Sequence, residues 1–135
     1  MVNLPRVHRG PRAEEVAVTQ HVRVSEVFAR IPEAGPLGPP LGVSVTGVTP
    51  TWLEEFTSDV NRGVHTGFWR CDPGVSEWNF VDLGEVIHVL KGRMIVTETG
   101  GHPVELSAGD VASFPAGWRG EWEILEAIEK FYVML

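Results

Sequence analysis

The chain has 135 residues, a formal net charge of −7 at pH 7 and an isoelectric point of about 5.1. This length predicts one domain that is large enough to bury a core. The acidic balance argues against nucleic acid or an anionic membrane as a partner, and no apolar run reaches the roughly 20 residues that a membrane-spanning helix needs.

Glycine and proline divide the sequence into short apolar runs. The fifteen Gly and ten Pro residues favour many short strands over long helices. The single cysteine, Cys71, excludes an internal disulfide, and before a Pro-Gly turn we expect a packed thiol rather than a nucleophile. No apolar core follows Arg6, Arg9 and Arg12, so we expect no signal peptide and a cytoplasmic location.

The first part of the chain has a weak pattern. Residues 1–15 show no periodicity and predict an extended or mobile arm. Valine residues alternate with other residues over 16–24, which favours a strand that Gln20 interrupts. The next residues, 25–30, either end that strand or form one helical turn capped by Ser25.

Residues 32–42 hold four Pro and three Gly and predict a loop. We therefore assign residues 1–42 to an N-terminal arm with its loop, and residues 43–135 to the folded domain. The arm either lies along the edge of its own domain or pairs with the sheet of a second subunit, because exposed edge strands invite such pairing. We predict a homodimer on this basis.

The rest of the sequence alternates short strand-like runs with turn residues. We expect Gly92 to take a positive φ and to reverse the chain between two strands. The pattern at 52–56 does not separate helix from strand. About eight to ten short strands at this spacing are typical of a sandwich or a barrel. Strands are predicted at residues 41–48, 64–71, 75–81, 85–90, 93–98, 104–106, 111–114, 119–125 and 128–135.

Two glycine-marked segments carry a family resemblance. Glu85 is followed by six residues and Gly92, and Gly109 is followed by five residues and Pro115-Ala116-Gly117. These spacings resemble parts of the two cupin motifs. With its flanking residues, the region 64–135 resembles the small cupins that include ureidoglycine aminohydrolase domains and the ethanolamine-utilisation cupin. The resemblance implies an all-β cupin jelly-roll barrel with an N-terminal arm. The flanking residues are Trp69–Gly74, Trp118–Trp122 and Lys130–Tyr132.

Most metal ligands of the cupin motifs are replaced. Metal-binding cupins place His-x-His before the motif-one glutamate and a further His after Pro-x-Gly. Only Glu85 remains of these four ligands, and one carboxylate does not make a transition-metal site. We therefore predict no metal and no other cofactor. The positions of the histidines hold Trp78 and Phe80 (Asn79 and Val81 at the shorter spacing) and Gly120.

Glu85 is the strongest candidate for chemistry. It shares one face of its strand with the apolar residues Ile87 and Val89, where a carboxylate needs a partner. Alternatively, Glu85 lies near the start of the strand and reaches solvent. The resemblance implies that this glutamate points into the barrel.

Lys130 and Tyr132 share one face of the last strand. The apolar residues that alternate with them would place both in solvent. The resemblance implies the opposite, because Lys-x-Tyr recurs at this place in similar small cupins. A strand covered on both faces would reconcile the two. An inward Lys130 can neutralise Glu85, so we predict that their side chains lie within a few ångströms of each other.

Five further residues are candidates for a substrate pocket. Large aromatic side chains fill small β cores, and they also line sites for small planar or sugar-like ligands, so the sequence supports both interpretations. His65 shares a strand face with Trp69, and Arg119 either contacts an anion at the barrel mouth or is solvated. The five residues are Trp69, His65, Trp118, Trp122 and Arg119.

These features predict a metal-independent cupin that binds a small polar metabolite in its barrel. If the protein is an enzyme, we expect aminohydrolase- or epimerase-like acid–base chemistry in nitrogen or carbohydrate metabolism. Glu85 would then be the base or orienting group, Tyr132 the acid and Lys130 the electrostatic partner. The alternative is a non-catalytic sensing or accessory module. The sequence does not decide between an enzyme and a binding protein.

Overall fold

A computed structural model describes residues 17–40 and 42–135 of the chain. The predictions for residues 1–15, Val16 and Leu41 lie outside this part. Over the described residues the chain forms one short helix and nine strands. They are α1 (Val24–Arg30), β1 (Glu33–Pro36), β2 (Gly42–Ser44), β3 (Pro50–Asp59), β4 (Val64–Cys71), β5 (Gly74–Asn79), β6 (Glu85–Glu98), β7 (Pro103–Ser107), β8 (Val111–Phe114) and β9 (Arg119–Met134).

The long strands β6 and β9 are the centre of the fold. They pair antiparallel over their whole length, from Glu85 opposite Met134 to Glu98 opposite Gly120. The first half of β6 also pairs with β8 and its second half with β7, while β9 pairs with β5 and then with β4. Both strands therefore belong to two half-sheets, and the whole sheet curls around one interior, as expected for a jelly roll.

Gly92 does not reverse the chain, as the sequence had suggested. Its φ is 93° in the middle of β6, and the pairing with β9 shifts register on both sides of it. A Cβ at this position would overlap the carbonyl oxygen of Ala127. Glycine is needed here because the two long strands approach closely where they bend. The strands predicted at 85–90 and 93–98 are one strand, and so are those predicted at 119–125 and 128–135.

The N-terminal segment also differs from its prediction. Residues 17–23 contain no strand, and α1 begins directly after Arg23, so Ser25 lies inside the helix and does not cap it. The predicted loop at 32–42 contains β1, which pairs with β3. Its four residues are all exposed and include Pro36, so this edge strand has no apolar alternation to reveal it. No helix in the described part is long and apolar enough to cross a membrane.

Two separate cores hold the sheet. The larger one fills the barrel and includes Trp69, Trp78 and Trp122. The smaller one lies outside the barrel, where Val27 and Phe28 of α1 cover Phe68 of β4. Both faces of β9 are consequently covered, so the even-numbered residues Lys130 and Tyr132 face the barrel. The outward residue Phe131 packs against Phe68 with ring centroids 5.2 Å apart.

Candidate functional site

A buried ion pair lies inside the barrel. Nζ of Lys130 donates a hydrogen bond of 2.9 Å to Oε2 of Glu85, and the two side chains are 2% and 5% exposed. Glu85 is the first residue of β6 and lies beside Met134 of β9, whereas Lys130 lies beside Val89. Burial of either charge alone would be costly, and the attraction between the two groups offsets part of that cost.

Three tryptophan rings surround the ammonium of Lys130. Its Nζ lies 4.3 Å from the ring centroid of Trp69, 4.6 Å from that of Trp122 and 5.7 Å from that of Trp78. The negative faces of aromatic rings attract a cation at these distances, by about 0.5–2 kcal/mol for each ring. The rings therefore replace much of the water that an exposed lysine would bind.

The protonation of neighbouring groups follows from this burial. Burial lowers the pKa of Lys130, and the carboxylate of Glu85 opposes that shift. Burial, followed by the charges of Glu85 and Glu55, raises the pKa of Tyr132 to about 12. The phenol of Tyr132 therefore keeps its proton at neutral pH and can donate it in a hydrogen bond. Burial also raises the pKa of Cys71 to about 12, which fits the expected packed thiol and argues against a thiolate nucleophile.

A small cavity of about 160 Å³ adjoins the ion pair. Glu85 lines it and uses Oε2 for Lys130, but its Oε1 is buried and has no hydrogen-bond partner among the described residues. Gly67 lies opposite Tyr132, and a Cβ there would come within 2.6 Å of the Tyr132 hydroxyl oxygen. Glycine at 67 thus leaves room for the phenol. The cavity is lined by Leu53, Trp69, Trp78, Glu85, Lys130, Tyr132 and Met134.

The residues present do not fit the metal ion that metal-binding cupins hold. Trp78 and Phe80, at the His-x-His positions, stack with ring centroids 5.6 Å apart, and Trp78 also stacks on Trp122 at 3.9 Å. The indole nitrogen of Trp78 carries a proton, which it donates to Ser76 Oγ at 2.8 Å, so it has no lone pair for a metal. In the described part of the chain, no group of three or more His, Cys, Asp or Glu residues is arranged to hold an ion.

The backbone at Gly120, the last histidine position, leaves no room for a side chain. Gly120 lies opposite Trp78 on β5 and opposite Glu98 on β6. A Cβ at Gly120 would overlap the carbonyl oxygen of Thr97 and come within 2.6 Å of the Trp118 ring. A histidine therefore does not fit at 120 without a shift of the backbone.

The structure brings together some of the predicted site residues and separates others. Glu85, Lys130, Tyr132 and Trp69 line one cavity. Trp122 contacts the Lys130 ammonium but is fully buried and lies outside the cavity wall. The sequence missed Trp78, which lines the cavity and lies at a position where metal-binding cupins have histidine. That substitution was the available signal, because a ring filling a ligand site must border the interior.

Three predicted pocket residues lie elsewhere. His65 is half-buried on the same face as Trp69 and pairs with Met134, but it is absent from the cavity wall, and its Nδ1 is 2.9 Å from Ser58 Oγ. Trp118 packs in the core, with its ring centroid 4.9 Å from that of Phe114. Arg119 is exposed and is absent from the wall of the Glu85 cavity. The period-two pattern placed His65 on the face of Trp69 but could not show that its ring bonds to Ser58 instead of lining the cavity.

Arg119 lines a larger cleft of about 760 Å³. This cleft is open to solvent and is bordered by exposed residues such as Glu77, Glu98 and Glu121. Trp78 lies in the wall of both the cleft and the small cavity. We assign the candidate site to the small cavity, because buried ionisable groups meet there. Burial of such groups costs free energy, and they are concentrated at functional sites.

Comparison with known proteins gives the family. A family model described as an EutQ-like cupin domain matches residues 60–132, just over half of the chain. A comparison with curated proteins found no match.

Solved structures share the fold at low identity. A protein of unknown function from Pseudomonas syringae pv. tomato is 17% identical with a TM-score of 0.67, over 80% of this chain and 45% of that one. EutQ of Clostridium difficile is 15% identical with a TM-score of 0.54, over 64% and 62%. A putative ethanolamine utilization protein Q from Salmonella typhimurium is 20% identical with a TM-score of 0.55, over 78% and 96%. The chain thus spans less than half of the first of these proteins and 62% of the second. The predicted all-β cupin jelly roll is confirmed.

Proposed function

The chain belongs to the EutQ-like cupin family, and we propose that it binds a small uncharged metabolite in the cavity beside Glu85, Lys130 and Tyr132, without a metal ion. The observation that supports this is Oε1 of Glu85, which is buried and lacks a hydrogen-bond partner among the described residues. A buried acceptor without a donor costs about 1–3 kcal/mol. A ligand that donates an N–H or O–H to Oε1 recovers that free energy.

The charges and the volume define the ligand. Glu85 and Lys130 neutralise each other, so a charged ligand would bring an uncompensated charge into a buried site. The cavity of about 160 Å³ corresponds to about five water molecules at ~30 Å³ each. Tyr132 supplies a hydroxyl donor in the same cavity. The expected ligand is a small amide, alcohol or carbonyl compound that has both a donor and an acceptor.

An enzyme that uses acid–base chemistry is the second candidate. A carboxylate and a protonated phenol, Glu85 and Tyr132, line one cavity, and such a pair can accept and donate a proton. Aminohydrolase chemistry of the metal-dependent kind has little support here, because the residues at the metal positions are aromatic or glycine. A sensing or accessory module would use the same binding site without turnover.

Tryptophan NMR signals test the binding proposal. The chain has five tryptophans, whose indole N–H signals can be assigned by single Trp→Phe variants. Acetamide and 1,2-ethanediol are the neutral probes and acetate is the charged probe. We expect saturable shifts of the Trp69 and Trp78 signals with a neutral probe and weaker ones with acetate. Trp52 packs outside the barrel and serves as the internal reference.

The matched variants are Glu85→Gln and Glu98→Gln. Both are isosteric changes in β6, but Glu98 is exposed and lies outside the cavity wall. Glu85→Gln should abolish the saturable shifts, and Glu98→Gln should leave them unchanged. An unchanged Trp52 signal shows that each variant is folded. Shifts that fail to saturate with every probe, or that persist in Glu85→Gln, would refute the proposal.

A further inference from the structure

Lys130 lines the cavity in addition to pairing with Glu85. We infer that its Nζ is a nucleophile that forms an imine with a small aldehyde or ketone bound in the cavity. This inference rests on the proposed function, because it requires a small molecule at the same site, and it names the chemical class of that molecule.

The geometry gives Lys130 what an amine nucleophile needs. Its side chain lines the cavity although it is only 2% exposed, so a bound carbonyl compound can reach Nζ while bulk water is largely excluded. Glu85 Oε2 lies 2.9 Å away and can take the proton that the ammonium must lose before its nitrogen can attack. The residue thus has a proton acceptor already in hydrogen-bond contact.

The steps balance with no further reagent. Oε2 takes a proton from Nζ, and the freed lone pair of the amine forms a bond to the carbonyl carbon, whose π electrons move to oxygen. Glu85 returns its proton to that oxygen and takes a second proton from nitrogen, which gives a neutral carbinolamine. The carbon–oxygen bond then breaks as Glu85 protonates the leaving hydroxyl, and water departs. Ammonium plus carbonyl gives protonated imine plus one water, and Glu85 ends as a carboxylate.

The residues around Nζ stabilise the protonated imine as well as the resting ammonium. A protonated imine keeps its positive charge on the same nitrogen, between the rings of Trp69 and Trp122 and beside Glu85. These two rings and the carboxylate therefore stabilise both the ammonium and the protonated imine. Burial lowers the pKa of Lys130, which makes loss of its proton easier than for an exposed lysine.

The unpartnered oxygen selects among carbonyl compounds. Oε1 of Glu85 accepts a hydrogen bond from the ligand under the proposed function. A hydroxyl on the carbon next to the carbonyl would place such a donor close to the reacting carbon. The favoured class is therefore a 2-hydroxy aldehyde or ketone of two to three carbons, a size range that follows from the small cavity.

Reductive trapping tests the inference on the full chain. The sequence has two lysines, Lys91 and Lys130, and Lys91 is exposed, so it is a built-in control. The protein is incubated at pH 7 with millimolar glycolaldehyde or acetaldehyde, with and without sodium cyanoborohydride. Peptide mass spectrometry then compares the adducts at the two lysines. The same reaction on the urea-unfolded chain gives the reference ratio.

We expect a cyanoborohydride-dependent adduct at Lys130 that exceeds the Lys91 adduct several-fold in the folded protein, more so with glycolaldehyde than with acetaldehyde. In the unfolded chain the ratio should fall to near one. Labelling of Lys91 at or above the level of Lys130 in the folded protein would overturn the inference. If acetamide shifts the Trp69 and Trp78 signals while Lys130 stays unlabelled, the imine fails and the binding proposal stands. If Lys130 is labelled without such shifts, the imine stands and the cavity binds carbonyl compounds, while the proposed non-covalent binding of neutral donors such as acetamide fails.

Discussion

Lys130 and Glu85 meet although they are not opposite each other in the sheet. Lys130 lies beside Val89, four residues along β6 from Glu85, yet Nζ is 2.9 Å from Oε2. Four residues of strand span about 13 Å at ~3.3 Å per residue. Both side chains therefore extend towards each other along the barrel interior. This arrangement makes the pair part of the core as well as of the candidate site.

A double-mutant cycle measures the strength of the pair. Glu85→Gln and Lys130→Met each leave one buried charge without a partner, which costs about 3–5 kcal/mol in the free energy of unfolding. The double variant should recover much of that loss, because no buried charge remains. Urea denaturation provides all four values.

The exposed pair of Arg93 and Glu105 is the control for this cycle. Its N–O distance is 3.1 Å, similar to that of the buried pair, but its side chains are 45% and 55% exposed. Its coupling energy should be at most about 1 kcal/mol. If the effects of Glu85→Gln and Lys130→Met simply add, the two groups are not energetic partners and the site needs another explanation.

The purified protein should contain no stoichiometric Mn, Fe, Ni or Zn. The reason is that Trp78 and Phe80, at two of the missing histidine positions, stack on each other and on Trp122, and that a histidine does not fit at the third position, Gly120. Elemental analysis by plasma mass spectrometry gives the metal content per chain. About one equivalent of metal, removable by a chelator with loss of fold, would contradict this expectation.

The stability of the protein should fall in alkaline solution because of Cys71. Burial raises the pKa of this thiol from 9.0, the value of an unperturbed cysteine, to about 12 in the folded state. Above pH 9 the unfolded chain loses this proton while the folded chain keeps it, so the free energy of unfolding decreases by about 1.4 kcal/mol per pH unit. The contribution of the thiol is complete below pH 9 and is lost as the pH rises towards 12.

Comparison of the wild type with Cys71→Ala isolates this effect. Urea denaturation between pH 7 and 10.5, under reducing conditions, should show a shallower decline for the variant, with a difference of about 2 kcal/mol at pH 10.5 after correction for the offset at pH 7. Tyr132 titrates in both proteins and its contribution cancels to first order. Parallel curves would mean that the thiol ionises as easily in the folded protein as in the unfolded chain.

The homodimer remains a prediction, and part of the segment that suggested it packs on the chain's own sheet. Val22, Val27 and Phe28 pack on the chain's own sheet, whereas Val18 is 70% exposed. We expect Val18→Asp to weaken the dimer, and Val60→Asp, at a position 81% exposed outside this segment, to leave it intact. Sedimentation velocity over a range of protein concentrations gives the association state. A monomeric wild type, or equal behaviour of the two variants, would exclude an interface at this segment.

The turn glycines and the strand periods predicted an all-β sandwich or barrel, and the family resemblance implied the cupin jelly roll. The errors have physical causes. A positive-φ glycine marks a bulge as readily as a reversal, so Gly92 was assigned to a turn. The period of β9 alone placed Lys130 in solvent, because the apolar face of a strand usually faces the main core. Here α1 covers that apolar face from outside the barrel, which the sequence did not reveal. Only the family resemblance indicated the inward direction of Lys130.

The sequence also could not show which residues of one strand face line the cavity. Period-two alternation assigns a face, but the height of a side chain depends on strand register and on bulges such as those near Gly92. Trp69 and His65 share a face, but only Trp69 lines the cavity, while the His65 ring hydrogen-bonds to Ser58.

Gly120 also has an evolutionary consequence. A chain with this sequence cannot acquire a metal centre at these positions by one substitution at a time. A histidine at 120 would collide with Thr97, and a histidine at 78 alone would lose the stacking on Trp122 without gaining an ion. Each intermediate would lose stability before any metal affinity appeared, since replacing a buried aromatic ring with a smaller side chain leaves a void. Substitutions can therefore modify the Glu85 and Lys130 site more easily than they can build a metal centre at these positions.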